Sequence, residues 1–223
     1  MTAWKNKQNA TGRIIIFSGG SLEEWALREV REGDFLIGAD RGALFLIRNG
    51  LTPDLSIGDY DSVTPAEKRE IHQASREFED CDPVLKDYTD TEMAIERALA
   101  QNPNEILLVG VLGTRFDHSL ANVQLLVKCH SRGVPCRITD NHNEILIAGP
   151  GVFSLSWKSR FSHVSLLPLT QKVTGITLTG FRYPLQDATL TMGQSLGISN
   201  VLEEPSGSIE TAEGLLLVIQ SVD

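Results

Sequence analysis

The chain has 223 residues, of which 41% are apolar, 22% charged and 6% aromatic. This is a globular composition, and it excludes collagen, coiled coils and wholesale disorder. Lys and Arg number 20 against 29 Asp and Glu, which gives a formal net charge of −9. An acidic chain argues against a nucleic-acid partner, whose binding surface would be basic, but it is compatible with a phosphorylated ligand that arrives with a metal ion.

The chain also lacks the features of a membrane or secreted protein. No apolar run approaches the ~20 residues that a membrane helix needs, and residues 1–12 are polar, without the apolar segment of a secretory signal. The three cysteines, Cys81, Cys129 and Cys136, form no CxxC motif and leave one thiol over in any disulfide scheme. We therefore expect reduced thiols and a cytoplasmic protein with no membrane partner.

In the first two thirds of the chain, apolar strand-like runs alternate with helical periodicity. Strands are predicted at 13–17, 34–39, 55–57, 105–112, 136–139 and 144–148. Helices are predicted at 21–31, 43–48, 64–75, 89–100 and 117–131. Ser21 is the expected N-cap of the first helix, and Thr89 and Glu92 form an expected capping box. This alternation predicts an α/β domain, a mostly parallel sheet flanked by helices.

The sequence pattern changes at residue 149, where Gly, Pro, Ser and Thr begin to separate short runs of alternating apolar and polar residues. Strands are predicted at 152–157, 163–167, 175–178, 188–192, 208–211 and 215–219. Many short strands with turn signals indicate a β-sandwich or barrel. We therefore predict two domains, an α/β domain at 1–148 and a C-terminal all-β sandwich domain at 149–223.

Glycines and charged residues follow four of the predicted strands. Because ligands of open α/β sheets bind beyond the carboxyl ends of the strands, the fold would bring these clusters to one edge. They are Ser18-Gly19-Gly20, Asp40-Arg41-Gly42, Gly58-Asp59-Tyr60-Asp61-Ser62 and Gly113-Thr114-Arg115-Phe116-Asp117-His118.

Each charged cluster has two interpretations. Asp59 and Asp61 can face one Mg²⁺ ion, or they can satisfy backbone N–H groups in a turn. The acids of Lys86-Asp87-Tyr88-Thr89-Asp90 can share that metal site, or they can stabilise a helix N-terminus. Arg115 can bind phosphate beside Asp117 and His118, or it can be a surface arginine next to a helix cap.

Taken together and in order, the motifs resemble those of the thiamine pyrophosphokinase family, and the likeness spans roughly residues 13–220. They are Asp40-Arg41-Gly42-Ala43, Pro53-Asp54 leading to Gly58-Asp59-Tyr60-Asp61-Ser62, Lys86-Asp87-Tyr88-Thr89-Asp90-Thr91-Glu92, Gly113–His118 with Asn122, and Gly197-Ile198-Ser199-Asn200. Arg41 and Thr114 stand where the family often has glycine. These departures affect the expected positioning of the nucleotide and remove no expected metal ligand.

The resemblance implies transfer of a pyrophosphoryl group from ATP to the hydroxyl of thiamine, which gives thiamine diphosphate and AMP. It implies Mg²⁺ dependence and a homodimer with active sites between subunits. Asp59, Asp61 and Asp90, with Asp87, would hold the metal and act with Arg115 in catalysis. The nucleotide would be lined by Gly19, Gly20, Asp40, Arg41, Lys86, Thr89, Arg115, Asp117, His118 and Asn122. Thiamine would contact Ser199 and Asn200.

Two other functions use the same residues. The chain can be a Mg²⁺-dependent nucleotide hydrolase or a kinase of another small alcohol, with a different pocket in the β domain. It can also be a thiamine or nucleotide sensor that keeps the fold without catalysis. The four carboxylates argue against a sensor, because a binding protein has less need of them.

Overall fold

The computed structural model describes residues 12–81, 87–156, 158 and 160–223. Tertiary contacts divide the chain into two compact units, Met1–Asp140 and Asn141–Asp223. Within the described ranges, no helix is long and apolar enough to cross a membrane.

In the described part of the first unit, six strands form a parallel arrangement. These are β1 (Arg13–Phe17), β2 (Phe35–Ala39), β3 (Leu55–Gly58), β4 (Glu77–Asp80), β5 (Glu105–Val109) and β6 (Cys136–Thr139). Their order is β4-β3-β2-β1-β5-β6, and every neighbouring pair is parallel. The central strands β1 and β5 are apolar and fully buried along almost their whole length, as expected for a sheet covered on both faces.

Among the described residues of this unit, five helices accompany the sheet, and the mostly parallel α/β architecture is confirmed. They are α1 (Glu24–Leu27), α2 (Arg41–Arg48), α3 (Pro65–Ala74), α4 (Asp90–Leu99) and α5 (Phe116–Ser131). Strand β4 was not predicted, because its sequence Glu-Phe-Glu-Asp is polar. It lies at the sheet edge, where a polar strand is tolerated.

The helix predicted over 21–31 is wrong in extent, since only Glu24–Leu27 is α-helical there. Ser21 is not its N-cap: the Ser21 backbone N–H donates to the carbonyl of Leu112 at 2.9 Å, which places Ser21 in a loop beside the end of β5. The N-cap is Glu23, which makes no side-chain capping bond. A contact between two loops distant in sequence therefore overrode the local capping signal.

The capping box predicted at Thr89 is only half present. The Thr89 hydroxyl accepts from the N–H of Glu92 at 3.2 Å, but the Glu92 carboxylate pairs with Lys128 instead of returning to Thr89. A complete capping box occurs at α3, where Thr64 and Glu67 bond reciprocally.

The part of the second unit that the structure describes contains seven strands. They are β7 (Asn143–Ala148), β8 (Gly151–Ser156), β9 (His163–Pro168), β10 (Lys172–Thr179), β11 (Ala188–Thr191), β12 (Ser206–Thr211) and β13 (Leu216–Ser221). Strand β13 pairs antiparallel with both β7 and β9, and a second antiparallel sheet has the order β11-β10-β12-β8. Side chains of both sheets form one apolar core, which includes Leu166, Val173, Ile176, Ile209 and Val218. An all-β second unit is confirmed.

The boundary between the units lies earlier than the predicted division at 148/149. It falls between Asp140 and Asn141, because β7 pairs along its whole length with β13 and so belongs to the second unit. The strand itself was predicted, but its partner β13 lies near the C-terminus, and the local sequence of β7 does not indicate this pairing.

Candidate active site

Backbone hydrogen bonds join the loops at the carboxyl ends of the parallel strands. After β1, the N–H of Ser18 donates to Val109 at 2.9 Å and that of Gly20 to Gly110 at 2.7 Å. After β2, the N–H of Asp40 donates to the carbonyl of Ile57 at 3.0 Å. These contacts bring three of the predicted clusters to one sheet edge, as the strand order requires.

Two glycines at this edge are required by close backbone contact. A Cβ at Gly20 would overlap the carbonyl oxygens of Gly110 and Leu112, and a Cβ at Gly42 would overlap that of Phe17. Gly19 differs, because a Cβ there would lie 3.4 Å from the Cβ of Arg41, an ordinary contact. Gly20 therefore has a packing role, whether or not it also approaches a nucleotide.

Asp40 is the buried acid of this edge. Its side chain is 9% exposed, and its backbone has φ 51°, a left-handed conformation that costs a non-glycine residue ~1–3 kcal/mol. One carboxylate oxygen accepts a hydrogen bond from the Ser62 hydroxyl, and Oδ1 has no protein partner. Burial raises the pKa of Asp40; Ser62 opposes this, and the charges of Asp90 and Asp61 add to it. A buried carboxylate oxygen without a donor, close to further negative charge, fits a cation.

Asp59 and Asp61 lie on the loop after β3, where both sequence interpretations find support. Asp59 Oδ1 accepts the backbone N–H of Asp61 at 3.1 Å, as expected of a turn. The backbone N–H of Asp59 in turn donates to Asp90 Oδ1 at 3.3 Å, which brings the start of α4 to this loop. Among the described residues, no three His, Cys, Asp or Glu side chains are assembled to hold a metal ion.

Tyr60 anchors the loop between the two aspartates. Its backbone φ is 59°, its side chain is buried, and its ring stacks on Phe78 with the centroids 4.9 Å apart. The Lys68 ammonium lies 5.3 Å from the centroid of the Tyr60 ring. Burial raises the pKa of the Tyr60 hydroxyl, which therefore stays protonated.

The second acidic cluster lies at the start of α4. Thr89 is the N-cap, Asp90 is the first helical residue, and Asp87 is exposed. The hydroxyls of Ser18 and Thr91 lie 2.9 Å apart, which joins the first turn of α4 to the loop after β1. Lys86, predicted to contact the nucleotide, lies outside the described residues.

Arg115 and Asp117 form a forked ion pair at the start of α5. Arg115 Nη2 lies 2.7 Å from Asp117 Oδ2, and Nε lies 3.3 Å from Oδ1. The Arg115 hydrogen bond lowers the pKa of Asp117, and His118 Nε2 lies 4.0 Å from the same carboxylate. Both partners of the fork are mostly exposed, at 69% and 64%, so the pair contributes little to stability and can exchange partners.

Asn122 lies on the inner side of α5. It is 8% exposed, and its Nδ2 donates to the carbonyl of Val111 at 2.7 Å, which holds the loop after β5. The contact that the structure gives Asn122 is therefore with the backbone of this loop.

Ser199 and Asn200 lie in the second unit and differ in their surroundings. Asn200 is buried; its Oδ1 accepts from the N–H groups of Tyr183 and Val201 at 3.1 and 2.8 Å, and its Nδ2 donates to the Tyr183 carbonyl at 2.7 Å. Ser199 is exposed, with φ 58°, and its N–H donates to Ser165 Oγ at 3.0 Å. Asn200 thus shapes the segment from which Ser199 projects.

Sequence reasoning missed two residues around the site. Ser62 belongs to the Gly58–Ser62 motif, but its hydrogen bond to Asp40 joins two different loops and has no signal in the local sequence. Lys128 on α5 pairs with Glu92 on α4, and a lysine on a helix surface is ordinarily solvated.

Each of the two units matches a protein-family model. Residues 27–138 match the model described as "Thiamin pyrophosphokinase, catalytic domain". Residues 154–216 match "Thiamin pyrophosphokinase, vitamin B1 binding domain". A catalytic α/β unit followed by a vitamin-binding β unit is thus the class of protein to which this fold and site correspond.

Individual proteins agree with that class. Thiamine pyrophosphokinase of Bacillus subtilis is 35% identical over 193 residues, 84% of this chain and 87% of that protein. Thiamine pyrophosphokinase 1 of Oryza sativa is 26% identical, over 78% of this chain and 68% of the rice protein. The Bacillus subtilis crystal structure superposes with a TM-score of 0.88 at 33% identity, covering 95% of this chain and 99% of that one. The chain belongs to the thiamine pyrophosphokinase family.

Proposed function

We propose that the protein is an ATP:thiamine diphosphotransferase, which moves the pyrophosphoryl group of ATP to the thiamine hydroxyl and releases thiamine diphosphate and AMP. The observation that carries this proposal is the 35% identity to the Bacillus subtilis thiamine pyrophosphokinase across 84% of the chain. The carboxylates and the arginine at the sheet edge supply groups suited to this reaction.

The metal site that we propose consists of Asp59, Asp61 and Asp90, with Asp87 beside them. The contact between the Asp59 backbone and Asp90 supports it, as does the raised pKa of Asp40. Carboxylates are the protein ligands that Mg²⁺ prefers, and the ion usually keeps substrate phosphates and water in its remaining positions. When bound, Mg²⁺ would neutralise charge on the transferred group.

The nucleotide would lie along the same edge, against Gly19, Gly20, Asp40, Arg41 and Thr89. Arg115, Asp117 and His118 would face its phosphates from the start of α5, with Asn122 behind them. Two observations favour this: α5 has no side-chain N-cap bond, which leaves N–H groups for an anion, and the Arg115 fork is occupied only by an exposed partner. Exchanging Asp117 for a phosphate would keep the two-pronged geometry of the guanidinium.

The chemistry asks the protein for alignment and charge compensation more than for covalent catalysis. The thiamine hydroxyl oxygen attacks the β-phosphorus in line, and AMP leaves from the opposite side. A carboxylate of the edge, Asp87 or Asp90, accepts the hydroxyl proton. Arg115 stabilises negative charge that develops on the phosphoryl oxygens.

The second unit, for which we propose a β-sandwich architecture, would bind thiamine through Ser199 and Asn200 and form a homodimer with active sites between subunits. Exposed apolar side chains around this segment support an interface. They are Tyr183, Met192, Leu196 and Ile198. The three cysteines are free thiols, which is in keeping with the cytoplasm that we propose as its compartment.

The reaction is tested by incubating the purified protein with ATP, Mg²⁺ and thiamine and separating the products by chromatography. Equal amounts of AMP and thiamine diphosphate, both lost with EDTA, are expected. ADP would instead indicate a kinase, and phosphate released without thiamine would indicate a hydrolase. Thiamine binding without turnover would identify a sensor.

A further inference from the structure

Lys128 connects three side chains of the α4 region. Its ammonium lies 2.6 Å from Glu92 Oε1 and 2.7 Å from Glu96 Oε1, and 5.0 Å from the centroid of the Tyr88 ring. The side chain is 27% exposed. A single exposed ion pair contributes little, but one half-buried cation with three simultaneous partners restrains all of them.

The partners of Lys128 lie on both sides of the start of α4. Glu92 and Glu96 are one turn apart on the helix, where two carboxylates would otherwise repel each other. Tyr88 precedes the N-cap Thr89 directly. Lys128 therefore connects α5 both to the helix and to the segment that leads into it, with Asp90 between these points.

An open surface groove runs beside the contact between α4 and α5. Its volume is about 600 Å³. Its lining includes Thr89, Glu92, Glu96, Leu125 and Lys128. At this groove, the ammonium group bridges the helices. It does so with Glu92, whose carboxylate is thereby withdrawn from the expected capping box.

We propose that Lys128 is a positioning residue of the transfer reaction: it holds the start of α4, with Asp90, against the loop that carries Asp59. This inference rests on the proposed function, in which Asp90 and Asp59 serve one metal site. Lys128 itself touches neither substrate nor metal in this role, and it acts through Glu92, Glu96 and Tyr88.

The test compares Lys128→Met with Arg137→Met. Arg137 Nε lies 2.7 Å from Glu105 Oε1, and both side chains are partly buried, but this pair lies near the amino ends of β5 and β6, away from the site edge. Each variant loses one cationic anchor and keeps an unbranched apolar stem. Similar losses of Tm are therefore expected.

The kinetic readouts separate positioning from stability. We expect Lys128→Met to lower kcat about tenfold and to raise the Mg²⁺ concentration for half-maximal rate several-fold, because displaced ligands bind the metal less well. The KM for thiamine should change less than twofold. Lys128→Arg should restore most of the rate, and Arg137→Met should match the wild type in kcat and Mg²⁺ requirement.

A measurement without substrate or metal tests the same inference. The N–H of Met93 donates to the Thr89 carbonyl and that of Glu92 to the Thr89 hydroxyl, so both report on the start of α4. Hydrogen–deuterium exchange at these amides should be about tenfold faster in Lys128→Met and unchanged in Arg137→Met.

Asp90→Asn distinguishes failure of this inference from failure of the metal site. If Asp90→Asn keeps full activity, the proposed site is wrong. If Asp90→Asn is inactive while Lys128→Met equals Arg137→Met in kcat, Mg²⁺ requirement and exchange, the site stands and the positioning role of Lys128 is refuted.

Discussion

The two units hold their motif segments in different ways. At the edge of the first unit, backbone groups bond to backbone groups, as between Gly20 and Gly110 or Asp40 and Ile57. In the second unit, backbone hydrogen bonds such as those between Asn200 and Val164 are supplemented by the side chain of Asn200, which makes three hydrogen bonds with the backbone of Tyr183 and Val201. Substitution of a motif side chain should therefore affect chemistry in the first unit and stability in the second, unless the side chain projects to solvent.

The largest effect should come from Asp59→Asn or Asp61→Asn. Either change removes a carboxylate from the proposed metal site while the backbone contacts of the loop remain. We expect turnover to fall at least ~100-fold, with Tm within a few degrees of the wild type. Steady-state rates at limiting and saturating Mg²⁺, together with thermal unfolding, measure both quantities.

Asp187→Asn is the matched control, because Asp187 is an exposed aspartate of the second unit. It should leave the rate unchanged. Near-normal turnover of Asp59→Asn at limiting Mg²⁺ would show that the metal lies elsewhere.

Asn200→Ala, in the second unit, should mainly lower stability, whereas the substitutions of Asp59 and Asp61 mainly lower turnover. Removing the amide leaves the part-buried N–H and carbonyl of Tyr183 without their side-chain partner, so we expect a loss of about 2 kcal/mol in the free energy of unfolding. Urea denaturation measures this loss. An unchanged unfolding midpoint combined with weaker thiamine binding would contradict the comparison and show that Asn200 serves thiamine binding alone.

The parts of this molecule that the sequence predicts are those set by local pattern. All six strands expected after residue 149 are present, and the parallel sheet follows from the alternation of strand and helix before it. The capping predictions that failed depend on distant partners: Ser21 bonds to the loop after β5, and Glu92 turns to Lys128. The pairing of β7 with β13 also joins segments that are far apart in the sequence. Short-range periodicity carries no information about such contacts.

The same distinction holds for the candidate site. The motifs identify Asp40, Asp59, Asp61 and Asp90 by type and spacing, and the structure brings their segments together through hydrogen bonds. The sequence does not indicate that Asp40 is buried with one oxygen lacking a partner. That property arises from the packing of two loops, which is a tertiary effect.

Ser199→Ala sharpens the comparison within the second unit, because Ser199 is exposed and its neighbour is not. Loss of one hydrogen bond to thiamine should raise the thiamine Kd about fivefold. The ATP KM and the unfolding midpoint should stay as in the wild type. Calorimetric titration of thiamine measures the change, and a raised ATP KM alone would argue against a thiamine contact.

The smallest expected effect is the pH dependence of stability that comes from Asp40, a buried and titratable side chain of the first unit. Burial raises its pKa above the ordinary value of 3.8, so the charged form is disfavoured in the folded state. Its favourable contribution to stability is therefore complete below pH 3.8 and is lost as the pH rises through the raised pKa.

Asp40→Asn removes this titration and can still accept the Ser62 hydrogen bond through its amide oxygen. Urea unfolding of both proteins across this pH range should show the variant gaining stability relative to the wild type as the pH increases. A difference that is constant with pH would mean that Asp40 ionises in the folded protein as readily as in the unfolded chain, and that its unpartnered oxygen is compensated by other groups.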